Sequence, residues 1–108
     1  MPQIEHAAEF SADVSRQVAY LRDRGESTLI ETLRDDLSEL EDLLRRFPLS
    51  GRQLAAQGTD LLLKLRLRRA PFYVWYSFDP AAKNAPMRLY RLFHVRQQML
   101  RPRLPSMG

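Results

Sequence analysis

Hydrophobic positions in the first half of the chain recur at helical spacing. Val14, Val18 and Leu21 fall at i, i+4 and i+7 and form one stripe. Ser11 precedes them as the expected N-cap, Asp13 sits in the first turn, and Arg24-Gly25 offers a cationic last turn and a C′ glycine. A second stripe runs through Ile30, Leu33, Leu37, Leu40, Leu44 and Phe47. Ser27-Thr28 opens it, with Thr28 and Glu31 spaced as a capping box, and Pro48 stops it. Asp35, Asp36, Glu39, Glu41 and Asp42 lie largely off the stripe and read as a solvated face. Ahead of both helices, Gln3 to Glu9 is a candidate first strand.

From Leu61 the period changes to two. Leu63, Leu65 and Leu67 alternate with Lys64, Arg66 and Arg68. Arg69-Ala70-Pro71 predicts a turn, and the aromatic, β-branched run Phe72–Phe78 predicts a strand. A loop from Asp79 to Pro86 contains two prolines. Met87, Leu89, Phe93 and Val95 then share one face, which Arg91 interrupts, and Arg88, Tyr90, Leu92 and His94 share the other. The expected fold is α+β, in the order β-α-α-β-β-β. Its last three strands form an antiparallel meander, and a helical hairpin covers one sheet face and leaves the other partly open. Residues 1–100 make one domain, followed by a loose, proline-containing tail over 101–108.

Charge sharpens this picture. Residues 1–51 hold six Lys/Arg against eleven Asp/Glu, a net of −5, whereas residues 52–108 hold eleven against two, a net of +9. A basic half on one small domain implies an acidic or polyanionic partner. Fifteen of the seventeen basic residues are arginine, whose rigid fork of donors suits phosphate or carboxylate. There is no cysteine, so thiolate metal sites, disulfides and cysteine nucleophiles are excluded. No basic leader precedes an apolar run, and no apolar run, Phe72-Tyr73-Val74-Trp75-Tyr76 included, approaches the length of a membrane span. A cytoplasmic protein that makes no use of a membrane is therefore expected.

The polar face of the last three strands is the candidate site. Lys64, Arg66 and Arg68, then Tyr73 and Trp75, then Arg88, Tyr90, His94 and Arg96 interleave cations with aromatics. In that arrangement cations track phosphates while rings stack on bases, at ~1–3 kcal/mol per stacked base. A solvated strand face with some of its rings in the core is the plainer alternative. Two histidines without cysteine make no metal cluster, four glycines build no phosphate loop, and no serine-hydrolase elbow occurs. Neither a metal nor an organic cofactor is expected, nor is a small-molecule substrate. For proton transfer, His94 is the residue type that titrates near neutrality, and Lys64 and Tyr73 are the other candidates.

Several segments resemble the RelE/ParE toxins of bacterial type II toxin–antitoxin pairs. These are Phe10-Ser11-Ala12 leading to Ala19-Tyr20-Leu21, and Phe47-Pro48-Leu49-Ser50-Gly51-Arg52 after the second helix. Lys64-Leu65-Arg66-Leu67, Phe72-Tyr73-Val74-Trp75-Tyr76 and Phe93-His94-Val95-Arg96-Gln97 complete the match, which spans about residues 3–100. The resemblance implies a toxin that arrests bacterial growth until an acidic antitoxin binds it. RelE-like members cleave mRNA in the ribosome without a metal, and ParE-like members poison DNA gyrase. Lys64, Arg66 and Arg96 stand where RelE-like members carry basic residues. Tyr73 stands in place of a further arginine, and no tyrosine follows Arg96. Those departures favour the gyrase-directed role and leave open whether the chain is an enzyme. The alternatives are a ribosome-dependent endoribonuclease and a non-toxic nucleic-acid-binding module. On any of these readings Lys64, Arg66, Arg68, Arg88 and Arg96 are the target-binding candidates.

Overall fold

A computed structural model describes residues 3–82 and 84–96. The elements are β1 (Ile4–His6), α1 (Ala8–Asp23), α2 (Ser27–Arg46), β2 (Arg52–Gln57), β3 (Asp60–Arg66), β4 (Phe72–Phe78) and β5 (Met87–His94). The expected tail at 101–108 lies outside the described residues.

The chain adds one strand to the expected order. Arg52–Gln57 pairs antiparallel with β3 through a turn at Gly58, whose φ of +62° suits glycine. With Leu54 and two alanines as its apolar content, β2 carries a weak alternating signal. The five strands run in the order β1-β5-β4-β3-β2. β2 to β5 form an antiparallel meander, and β1 lies parallel to β5 at the far edge.

The helix boundaries also differ from expectation at their starts. α1 begins at Ala8, three residues before Ser11, and its N-cap Ala7 makes no side-chain cap. Thr28 lies inside α2 and the expected capping box does not form; its carbonyl instead accepts the Thr32 hydroxyl at 3.0 Å. The turn between the helices is as the sequence implies. Gly25, at φ +70°, lets Glu26 N–H reach the Leu21 carbonyl (2.9 Å) and Gly25 N–H reach that of Arg22 (3.0 Å). That is the Schellman pattern, which satisfies carbonyls left over at the helix end.

The main core lies between the helices and one sheet face. It contains Phe10, Leu33, Leu40 and Leu44 from the helices against Leu63, Phe72, Val74, Tyr76, Met87, Leu89 and Leu92. A smaller cluster of Leu62, Trp75, Tyr90 and Phe93 occupies the opposite face. In β5 this partition differs from strict alternation because a bulge intervenes. Trp75 pairs with Arg91 but Tyr76 pairs with Leu89, so Tyr90 is the extra residue. Past the bulge the faces exchange: Leu92 joins Met87 and Leu89 in the main core, and Phe93 joins Tyr90 outside it.

Two buried aspartates tie the helices to the sheet. Asp13 accepts the Leu92 N–H (3.0 Å) and Arg91 Nε (2.7 Å), where β5 continues beyond the end of β1. Asp36, expected on a solvated face, is 2% exposed and holds the β3–β4 turn. It accepts Arg69 N–H (2.7 Å), Ala70 N–H (2.6 Å) and Arg69 Nε (3.0 Å).

The exit from α2 is fixed from the sheet. Tyr76 Oη donates to the Pro48 carbonyl (2.9 Å) and accepts the Gly51 N–H (2.8 Å). A Cβ on Gly51 would lie 2.7 Å from that oxygen and 2.9 Å from the Lys64 carbonyl, so glycine is required by close approach. Tyr76→Phe is expected to lower unfolding free energy by about 1–2 kcal/mol, because it strands a partly buried N–H and a carbonyl. Urea denaturation checks this; an unchanged midpoint would mean water replaces the hydroxyl without cost.

Candidate functional site

β3 and β4 build the centre of the open face. Register pairs Arg66 with Tyr73, Lys64 with Trp75, and Arg52 of β2 with Lys64. All of these side chains therefore project to the face that carries Leu62 and Trp75. Lys64 Nζ lies 4.5 Å from the centroid of the Tyr73 ring, and Arg66 Cζ lies 5.9 Å from it. One phenol thus gathers two cations by its ring quadrupole.

Arg52 joins them from a strand that alternation alone did not reveal. Directly opposed like charges on neighbouring strands are destabilising. Among the described residues, no carboxylate forms an ion pair with Arg52, Lys64 or Arg66. Three cations without an ion pair, two of them against the Tyr73 ring and the third opposite Lys64, make a favourable seat for an anion with a flat, apolar part. Beside them on the same face Trp75, Phe93 and Leu62 pack as an apolar cluster, with the Trp75 and Phe93 centroids 5.0 Å apart.

The other candidates lie apart from this centre. Arg88 is opposite Ser77, four residues along β4 from Tyr73, which is roughly 13 Å at strand rise. Its guanidinium pairs with Glu5 of β1 (3.1 Å), and that bond, with a further one to Tyr90, raises its pKa and holds its charge. Arg68 follows the end of β3 and faces Glu39 of α2 at 3.9 Å. His94 is opposite Phe72 and meets that ring edge-on at 5.3 Å, on the helix-covered side. Arg96 lies beside it, and its N–H donates to His94 Nδ1 (3.1 Å).

The structure therefore brings together Lys64, Arg66 and Tyr73, and adds Arg52. It puts His94 across the sheet from them. The sequence signal for that separation was Arg91. A charge on an otherwise apolar face marks the bulge that exchanges the faces and turns His94 toward the helices. What remains together at the centre of the open face is suited to binding and orienting an anion: Arg52, Arg66, Lys64 and the Tyr73 phenol.

Among the described residues, no group of three His, Cys, Asp or Glu side chains is placed to share a metal ion. No helix among them is long and apolar enough to cross a membrane.

No protein-family model and no curated protein matches the chain. Solved structures do. A chain of the chromosomal ParDE TA system from P. aeruginosa superposes with a TM-score of 0.62 at 16% identity, over 89% of this chain and 98% of that one. A chain of the archaeal RelE-RelB complex from Pyrococcus horikoshii OT3 does so with a TM-score of 0.60 at 13% identity, over 90% and 98%. The α+β fold is the one these structures share, across nearly the whole chain.

Proposed function

We propose that this chain is the toxin of a type II toxin–antitoxin pair, acting in the cytoplasm and held inactive by an acidic antitoxin. The shared fold with ParDE and RelE-RelB chains supports this reading, as do the sequence segments that resemble the same toxins. The −5/+9 division of charge supports an acidic partner for the basic half.

Within that reading, a gyrase-directed action is preferred over ribosome-dependent mRNA cleavage. The observation that carries the preference is the position of His94. Cleavage of RNA needs one group to take a proton from a 2′-hydroxyl and another to give one to the leaving oxygen. Arginine stays charged to pH values above ~12 and does neither well. His94 lies with Phe72 on the helix-covered side, away from Lys64, Arg66 and Tyr73. The open-face cluster is thus equipped to bind, and its proton-transfer candidates are Lys64 and Tyr73, of residue types that titrate well above neutral pH.

Induction without the antitoxin is expected to stop growth and raise DNA-break signalling while bulk mRNA stays whole. His94→Ala is expected to leave that toxicity largely intact. Prompt cuts within translated codons, reduced roughly 100-fold by His94→Ala, would instead establish the ribonuclease and sink the gyrase assignment.

A further inference from the structure

The corner where α1 meets the end of β5 carries a feature that the open-face site leaves unused. A groove of about 440 Å³ is lined by Arg16, Gln17, Tyr20, His94 and Arg96. It continues into a second hollow of about 430 Å³ that shares four of those residues and adds Arg24 at its rim. Leu21, Leu29, Pro71, Phe72 and Val95 give this second part an apolar wall, and Glu26 is part of its lining.

Several of these groups are held in place. Arg16 is anchored by Asp13 Oδ1 at 3.1 Å. Arg24 lies over the Tyr20 ring, 5.4 Å from its centroid. The Arg96 N–H fixes Nδ1 of His94 as an acceptor, so the neutral ring carries its proton on Nε2. Tyr20 is nonetheless 55% exposed, a large ring left in solvent beside three guanidinium groups.

We propose that this corner is a nucleotide subsite. The base lies against Tyr20 and the apolar wall, and the phosphate is taken by the guanidinium groups on the rim. An aromatic platform flanked by arginines suits a base–phosphate unit, because stacking and charge-assisted hydrogen bonding act on adjacent parts of one ligand. The Gln17 amide supplies both a donor and an acceptor for a base edge. Glu26 in the lining opposes a continuous run of carboxylates, so an acidic peptide fits the groove less well. The unit is either a free nucleotide or one residue of a single strand. The subsite is separate from Lys64, Arg66 and Tyr73, and the proposal does not depend on the toxin reading.

The test is an NMR titration of the full-length, isotope-labelled chain with adenosine 5′-monophosphate, with 5′-phosphorylated tetra-adenylate, and with inorganic phosphate. Saturable shifts are expected at Gln17, Tyr20 and Val95, with phosphate alone binding more weakly than either nucleotide. Tyr20→Ala and Arg24→Gln are each expected to weaken binding about tenfold, the equivalent of one good contact. Both residues are exposed, and a well-dispersed spectrum verifies that each variant is folded. Tighter binding of the tetranucleotide identifies a strand as the source, and equal binding identifies a free nucleotide. The proposal is overturned if neither nucleotide saturates, if the shifts gather at Lys64, Arg66 and Tyr73, or if both variants bind as the parent does. It is also overturned if hexaglutamate displaces the nucleotide at equal affinity, because the corner would then be unspecific charge. Growth arrest without nucleotide binding would sink this subsite and leave the toxin reading standing.

Discussion

Asp36→Ala is expected to lower the unfolding free energy by about 3–5 kcal/mol, the largest loss from any single substitution considered. The Asp36 side chain is fully buried, and it accepts the backbone N–H groups of Arg69 and Ala70 as well as Arg69 Nε. Alanine leaves those N–H groups without a partner where water does not easily reach. Each stranded donor costs about 1–3 kcal/mol. Arg69 is half exposed, so its charge contributes less than the two backbone bonds do. A small domain has only about 5–15 kcal/mol in all, so the variant should melt roughly 15–25 °C lower. Calorimetry of parent and variant decides this, and a drop of only a few degrees would mean that the β3–β4 turn does not depend on Asp36.

The same carboxylate predicts an acid-sensitive step. Burial pushes the Asp36 pKa up, but the hydrogen bonds from Ala70 and Arg69 and the Arg69 charge outweigh it, so the native value falls below the ordinary 3.8. A depressed native pKa contributes stability that is present above the unfolded value and fades as pH drops through the native one. The gap between parent and Asp36→Ala should therefore be constant near neutrality and narrow below about pH 4. A gap that stayed constant into strong acid would show that the ionised form is not what holds the turn.

Asp36 also illustrates where a linear pattern loses information. Its neighbours Asp35 and Glu39 are exposed as a helical acid run predicts. Asp36 itself sits between Leu33 and Leu40 on the buried side, and its partners are thirty-three and thirty-four residues away. No local period encodes a bond to a backbone amide on a distant turn. The helix stripes, the Schellman turn at Gly25, the β3 alternation and the aromatic, β-branched run of β4 were legible because each depends on residues within one turn or one short stretch. β2 was not, since two alanines and one leucine leave little contrast between its faces. β5 was half legible. Arg91 signalled a fault in the alternation, but a faulty pattern does not say where the extra residue is. The bulge at Tyr90 needed the β4 register to reveal it, and with it went the position of His94.

The open-face cluster carries the remaining large effect. Lys64→Ala with Arg66→Ala is expected to abolish growth arrest, on the reading that the face between β2 and β4 engages the target. The two substitutions remove both cations from the Tyr73 ring and leave Arg52 as the one remaining charge of that group. Charge-assisted contacts to a phosphate or carboxylate are about twice as strong as neutral ones, so losing two should weaken binding by orders of magnitude. The fold should hardly notice. Lys64 is half-buried, Arg66 is exposed, and neither forms an ion pair among the described residues, so the stability change should stay within about 1 kcal/mol. Relief of the like charge opposite Arg52 pulls in the stabilising direction. Arg96→Ala serves as the contrast, because that residue lies at the α1 corner with His94. Growth after induction, read beside a melting curve of each purified variant, separates the outcomes. A folded double variant that still arrests growth would remove the open face from the mechanism, and loss of toxicity in Arg96→Ala alone would move the site to the corner.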